Sequence, residues 1–213
     1  MMTEKLIQMI AFLDEHHRNA VCELNFKTPF ELMVAVILSA QCTDKRVNII
    51  TEELFKKYNK PEHFAGLSEE ELGKMIFSCG FYRNKSKNII AASRALLERY
   101  GGEVPRETEE LLKIPGLGNK SASVIRAVAF NEDALAVDTH VFRVSRRLGI
   151  ASGSTPDKVM RELMDKVDKN MWSHFHHLLI HHGRYICKSQ HPDCGICKLT
   201  ELCKYYKTNG GSK

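Results

Sequence analysis

The chain has 213 residues, of which 43% are apolar, with a net charge of +5 and a pI near 8.8. That is enough for one large or two small cores, and it falls short of the strongly basic balance of a dedicated nucleic-acid domain. The longest apolar run, Leu32 to Leu38, is too short to span a bilayer, and the Met-Met-Thr-Glu-Lys start has no signal-peptide pattern. The expectation is a soluble intracellular protein, nucleoid-associated if bacterial, with no membrane partner.

Taken in order, the first apolar-periodic segment is Leu6-Ile7-Ile10-Phe12-Leu13, a helix ending near Asn19. Thr28-Pro29-Phe30-Glu31 reads as a capping box with proline at the first helical position. The helix it opens, Leu32 to Ala40, is apolar on nearly every side and should be the buried central helix. Thr43 can cap a helix with apolar positions Val47, Ile50, Leu54 and Phe55. Ser68-Glu69-Glu70-Glu71 is a second capping box, with Gly80 as the stop. Asn84 to Tyr100 is amphipathic and closes at Gly101-Gly102.

Glu107 to Lys113 and Asn119 to Phe130 form two arms around Pro115-Gly116-Leu117-Gly118. Thr139 to Leu148 should close at Gly149, Thr155-Pro156 should open a helix to about Val167, and Met171 to His182 should close at Gly183. A polar tail follows Tyr206. No segment alternates with period two between turn signals, so the fold class is all-α.

Charge is unevenly placed. Residues 1–110 carry 15 Lys and Arg against 17 Asp and Glu, a net of −2, whereas residues 111–213 carry 16 against 9, a net of +7. The half with the Pro-Gly-x-Gly turn is the basic half, as a phosphate-facing surface requires, although an incidental basic surface gives the same count. Such a turn aims the backbone N–H groups around Gly116 and Gly118 outward at a helix N-terminus, where a phosphate oxygen fits. The bland alternatives are a tight turn between packed helices, a solvated Lys120, and an Asp138 that only caps the following helix.

Seven cysteines fall into two groups. Cys22, Cys42 and Cys79 are isolated near apolar segments and should be buried thiols. Cys187, Cys194, Cys197 and Cys203 form C-x6-C-x2-C-x5-C, which in an intracellular chain is a metal site rather than a disulfide framework. On ligand type and spacing, tetrahedral zinc and a [4Fe–4S] cubane suit it equally. Five histidines, His174, His176, His177, His181 and His182, share one helix. His177 and His181 are spaced to share a metal, but no third ligand is placed for it, so packing or phosphate contact is preferred.

The run Ile114-Pro115-Gly116-Leu117-Gly118-Asn119-Lys120-Ser121-Ala122, followed by Val137-Asp138-Thr139-His140-Val141, resembles the endonuclease III family of DNA repair glycosylases. The resemblance covers essentially the whole chain. It implies a two-lobed, all-α helix-hairpin-helix fold, with a six-helix lobe over 22–132 (hairpin 111–130). The second lobe is 1–21 plus 133–213, carrying an iron–sulfur loop at 187–203. It makes Lys120 the nucleophile and Asp138 its partner, and it assigns the four cysteines to a [4Fe–4S] cluster that carries Arg184, Lys188, Lys198 and Lys204 toward DNA.

By the same resemblance Gln41 and Phe81 fill the gap left by an extruded base. Phe81 stands where the family most often has leucine, and a packed core aromatic is its alternative. The expected protein is a monomeric bifunctional DNA glycosylase and AP lyase, acting on oxidised pyrimidines in double-stranded DNA. Two rivals stay open. A monofunctional mismatch glycosylase would lack Lys120 and carry a further domain, and a non-catalytic helix-hairpin-helix DNA-binding module with a structural metal would not need Lys120 and Asp138 together.

Overall fold

A computed structural model describes residues 2–209, and no strand occurs among them. Of the polar tail, positions 210–213 lie outside the described residues. The chain divides into two compact units, one spanning Glu23–Glu132 and one formed by the residues up to Cys22 with those from Asp133 onward.

Helix α1 (Glu4–His16) belongs to the discontinuous unit and is capped by Thr3, whose side chain accepts from the Leu6 N–H. The continuous unit begins with α2 (Pro29–Ser39), in which every residue from Phe30 to Leu38 is buried. Its capping box is open. Thr28 accepts from the Glu31 N–H, but Glu31 Oε2 accepts from the Lys27 N–H at 2.5 Å. A buried carboxylate is thereby satisfied one residue upstream of the expected donor.

Thr43 caps α3 (Asp44–Lys57) as the sequence indicates, and Val47, Ile50 and Leu54 face inward. Helix α4 (Pro61–Ala65) is too short to show a period and was not expected. The Ser68–Glu71 capping box closes reciprocally on α5 (Glu69–Met75). That helix stops at Met75, five residues before Gly80, and the chain continues through turns. Helix α6 (Tyr82–Tyr100) ends in a left-handed Gly101. Helix α7 (Thr108–Leu111) is a single turn, shorter than expected, and α8 (Asn119–Ala129) packs on α2.

In the other unit α9 (Thr139–Leu148) packs against α10 (Pro156–Lys166), α11 (Trp172–Tyr185) and α12 (Lys204–Thr208). Leu13, Val141, Val144, Val159, Leu163, Phe175 and Leu179 make its core. Gly183 does not stop α11, which runs on to Tyr185. A Cβ there would lie 2.9 Å from His140 Cβ and 3.1 Å from Val144 Cγ2, so the glycine serves the close approach of α9 and α11. No helix among the described residues is long and apolar enough to cross a membrane.

Candidate functional site

The hairpin turn is anchored by Leu111 and Ile114 below it and by Ala122 and Ile125 on α8, all buried. Its two glycines are not equivalent. Gly116 has φ +86, and a Cβ there would sit 2.9 Å from Asn88 Cβ, so both conformation and space demand glycine. Gly118 is extended (φ −122, ψ −179), a conformation open to any residue. The space above it is open, so glycine there meets no conformational need and instead leaves room for a ligand. As N-cap of α8 it supplies no side chain to the first-turn N–H groups. Lys120, the second residue of α8, is exposed.

Asp138 lies in the other unit, so the hairpin residues and the aspartate are set by different cores. It is the half-buried N-cap of α9, its Oδ1 accepting from the Val141 N–H at 2.7 Å. The approach to it, Ala134 to Ala136, is buried, and the His176 ring pins the Ala136 carbonyl through Nδ1 at 2.7 Å. Burial pushes the His140 imidazole below its ordinary value, against the pull of Asp138 in the opposite direction.

Gln41 and Phe81 come from segments far apart in sequence that meet within the continuous unit. Cys42 Sγ and Cys79 Sγ are 3.6 Å apart, and the Gln41 carbonyl lies 3.7 Å from where a Gly80 Cβ would be. Both residues are left-handed, at φ 53 and φ 58, which costs a side-chain-bearing residue roughly 1–2 kcal/mol. Gln41 is exposed just beyond the end of α2. Phe81 is 62% exposed, which removes the packed-core alternative. Of the three isolated cysteines only Cys79 is fully buried, and Cys22 and Cys42 are half-buried.

None of the seven cysteines is joined in a disulfide. Cys187, Cys194, Cys197 and Cys203 line one small pocket, with Leu148, His182 and Tyr205 among its walls. Among the described residues no three Cys, His, Asp or Glu side chains converge as a single-ion site. The loop is tied down by two arginines of α9 that the sequence reading passed over. Arg147 donates to the carbonyls of Lys188 (2.6 Å) and Ser189 (2.9 Å) and to Cys187 Sγ (3.5 Å). Arg143 donates to the carbonyls of Cys187 (3.1 Å) and Gly183 (2.9 Å). Their i,i+4 spacing was visible, but not their targets some forty residues on. Two of the four cations expected to face DNA are engaged otherwise, Lys188 with Asp193 and Lys198 with Glu15.

The histidines of α11 are structural in their contacts. His176 holds Ala136, His181 meets the Val21 carbonyl, and His174 pairs with Asp14. His182 Nδ1 lies 3.2 Å from His17 Nε2, and its Nε2 lies 3.7 Å from Cys197 Sγ. Burial lowers His177 to about 3 and His17 to about 4.

Residues 34–169 match the family described as HhH-GPD superfamily base excision DNA repair protein. The endonuclease III of Bacillus subtilis (strain 168) is 53% identical, covering 87% of this chain and 85% of that protein. That of Rickettsia conorii is 46% identical, covering 93% and 95%. A solved structure of a trapped endonuclease III–DNA covalent intermediate, an estranged-adenine complex, is similar at TM-score 0.92 and 44% identity, covering 99% of this chain and 100% of that one. The chain belongs to the HhH-GPD superfamily of base excision DNA repair proteins and, within it, to the endonuclease III family.

Proposed function

We infer that this protein is a bifunctional DNA glycosylase and AP lyase of base excision repair, acting on oxidised pyrimidines in duplex DNA. Lys120 carries the lyase reading: an amine exposed on the first turn of the hairpin's second helix, in a chain of this family. Its neutral form attacks the sugar carbon that bears the damaged base. The base departs, the sugar ring opens to a Schiff base, and elimination of the 3′ phosphate from that imine nicks the strand. Asp138 stabilises the positive charge developing on the sugar and assists proton transfer. Capping engages its Oδ1, so the cap orients the carboxylate for this work.

The base must leave the stack before attack. Exposed Gln41 and Phe81, held on strained backbone, suit the filling of the vacated space. Gly116 shapes the hairpin, and Gly118 leaves room for a phosphate at the N-terminus of α8.

The four cysteines fit a [4Fe–4S] cluster, the family's cofactor. A cubane takes one thiolate per iron, which suits sulfurs distributed around a cavity. Bound there, it would clamp the 187–203 loop.

Borohydride added to the protein with abasic-site duplex tests the reading, because only a Schiff-base lyase is trapped covalently. Trapping by the wild type and none by Lys120→Gln is expected, and trapping that survives in the variant would name another amine. The purified protein should be brown with about four irons. A colourless preparation with one zinc, made under iron-replete anaerobic conditions, would overturn the cluster.

A further inference from the structure

The contact between Cys42 and Cys79 has no place in the chemistry above. The two thiols come from residues 37 positions apart and meet at 3.6 Å. They adjoin Gln41 and Phe81, both in left-handed backbone. Access to them is unequal, because Cys79 is fully buried while Cys42 is half-buried and reaches the surface. Beside them is Lys85, whose Nζ is buried without a hydrogen-bond partner.

An orphaned buried ammonium is costly, and a thiolate would give it the partner it lacks. Lys85 and Arg46 both draw the Cys79 thiol toward ionisation, although burial wins in the resting protein and holds it at about 11. Two packed core thiols would need no such cation.

We propose that Cys42 and Cys79 form a redox-sensitive pair, closed to a disulfide by a small-molecule disulfide such as oxidised glutathione, and that closure weakens binding to damaged DNA. Cys42, the accessible thiol, attacks one glutathione sulfur as its thiolate, leaving a mixed disulfide and releasing one glutathione thiolate. Cys79 gives up its proton next to Lys85, attacks the Cys42 sulfur and expels the second glutathione. Two protein thiols lose two electrons and two protons, and the oxidant becomes two glutathione thiols. A disulfide needs its sulfurs about 2.05 Å apart, so residues 41–42 and 79–81 must draw together from their present spacing. That displaces Gln41 and Phe81 from the register in which they meet DNA, a consequence that rests on the proposed role of those two residues.

The test treats the iron-loaded protein with oxidised glutathione, blocks free thiols, and maps peptides by mass spectrometry without reduction. A Cys42–Cys79 crosslinked peptide, lost on adding dithiothreitol, is expected in the wild type and absent in Cys42→Ser. Anisotropy with a duplex carrying a tetrahydrofuran abasic analogue should show affinity falling about tenfold on oxidation, returning on reduction, and unchanged in oxidised Cys42→Ser.

Recovery of the two cysteines singly, or as glutathione adducts alone, would overturn the pair. A crosslink with unchanged affinity would overturn the effect on DNA. Reduced Gln41→Ala decides where that failure lies: if it too binds normally, the DNA role of Gln41 is at fault rather than the crosslink.

Discussion

The turn at residues 115–118 hangs between buried Leu111, Ile114 and Ala122, whereas the loop at 187–203 has a single fully buried residue, Leu199. The first is displayed by an apolar core and would keep its shape with nothing bound. The second is tied by guanidinium hydrogen bonds to its carbonyls, and its four thiols line one pocket. Both are irregular backbone, yet one is a product of folding and the other is held by charge and, in the proposed reading, by a bound cluster. Changes to the hairpin's exposed side chains should therefore alter chemistry or DNA contact at constant stability, and changes around the loop should alter stability first.

The largest effect expected is on the hairpin side. Lys120 is exposed and packs in no core, so Lys120→Gln should leave the melting temperature within about 1–2 °C of wild type and abolish borohydride trapping. Abasic duplex should still bind. A variant that unfolds would break the comparison, because Lys120 would then be structural. Asp138→Asn should behave similarly, since the amide oxygen keeps the cap on α9. Loss of excision with little loss of stability is the outcome that places both residues in the chemistry.

Next in size is Arg147→Met on the loop side. It keeps the aliphatic stem, loses the bonds to Lys188 and Ser189, and removes the guanidinium stacked 4.6 Å from the Tyr205 ring centroid. Charged hydrogen bonds of this kind contribute about 1.5–3 kcal/mol. Protease cleavage within 187–203 and iron release to a chelator should both quicken. Trapping per intact molecule should be preserved. If trapping falls while the loop stays protected, Arg147 belongs to the DNA contact rather than to the loop.

How far these features were legible in the sequence follows from the range of the interactions. Thr28, Thr43, Ser68, Asp138 and Thr155 all cap helices where expected, because a cap is settled within three or four residues. Lys120 and Asp138 were readable as parts of a short motif. Gly183 was misread as a stop because its reason is the side chain of His140 on another helix. The meeting of Cys42 with Cys79, and of Arg147 with the cysteine loop, joins segments with no local signature. The surface position of Phe81 was open for a similar reason. Nothing in its neighbours says whether an aromatic after a glycine turns inward.

Acid should sharpen the contrast between the units. Nine of the ten histidines lie outside residues 23–132, with only His63 inside. Burial, helped by His176, His181, His174 and Arg184, holds folded His177 at about 3 against an ordinary 6.5. Burial, with His181 and His16, holds His17 at about 4. Above pH 6.5 both rings are neutral whether folded or not, and their contribution to stability is complete. Between 6.5 and about 4 the unfolded chain takes up protons that the folded unit refuses, so stability is lost as pH falls. Urea midpoints at pH 7 and pH 5 should fall for the histidine-rich unit, and His177→Gln should flatten that slope. An equal fall in exchange protection across α2 and α6 would locate the acid sensitivity elsewhere.

The smallest effects come from the two hairpin glycines. Gly116→Ala must hold a side chain at φ +86 with its Cβ 2.9 Å from Asn88 Cβ. The left-handed conformation alone costs roughly 1 kcal/mol, and Asn88 must move as well. Gly118→Ala meets nothing within 4 Å and keeps an extended φ of −122, so its cost is only the roughly 0.5–1 kcal/mol by which alanine is the poorer N-cap. The first variant should melt several degrees lower than wild type, and the second should fall by less. Binding inverts the order of interest. Gly118→Val, with its side chain standing in the open space, should weaken damaged and undamaged duplex by similar factors, because a phosphate contact positions without specifying. If Gly118→Val instead loses only the preference for the lesion, the turn touches the base rather than the backbone. The hairpin would then take part in reading the lesion.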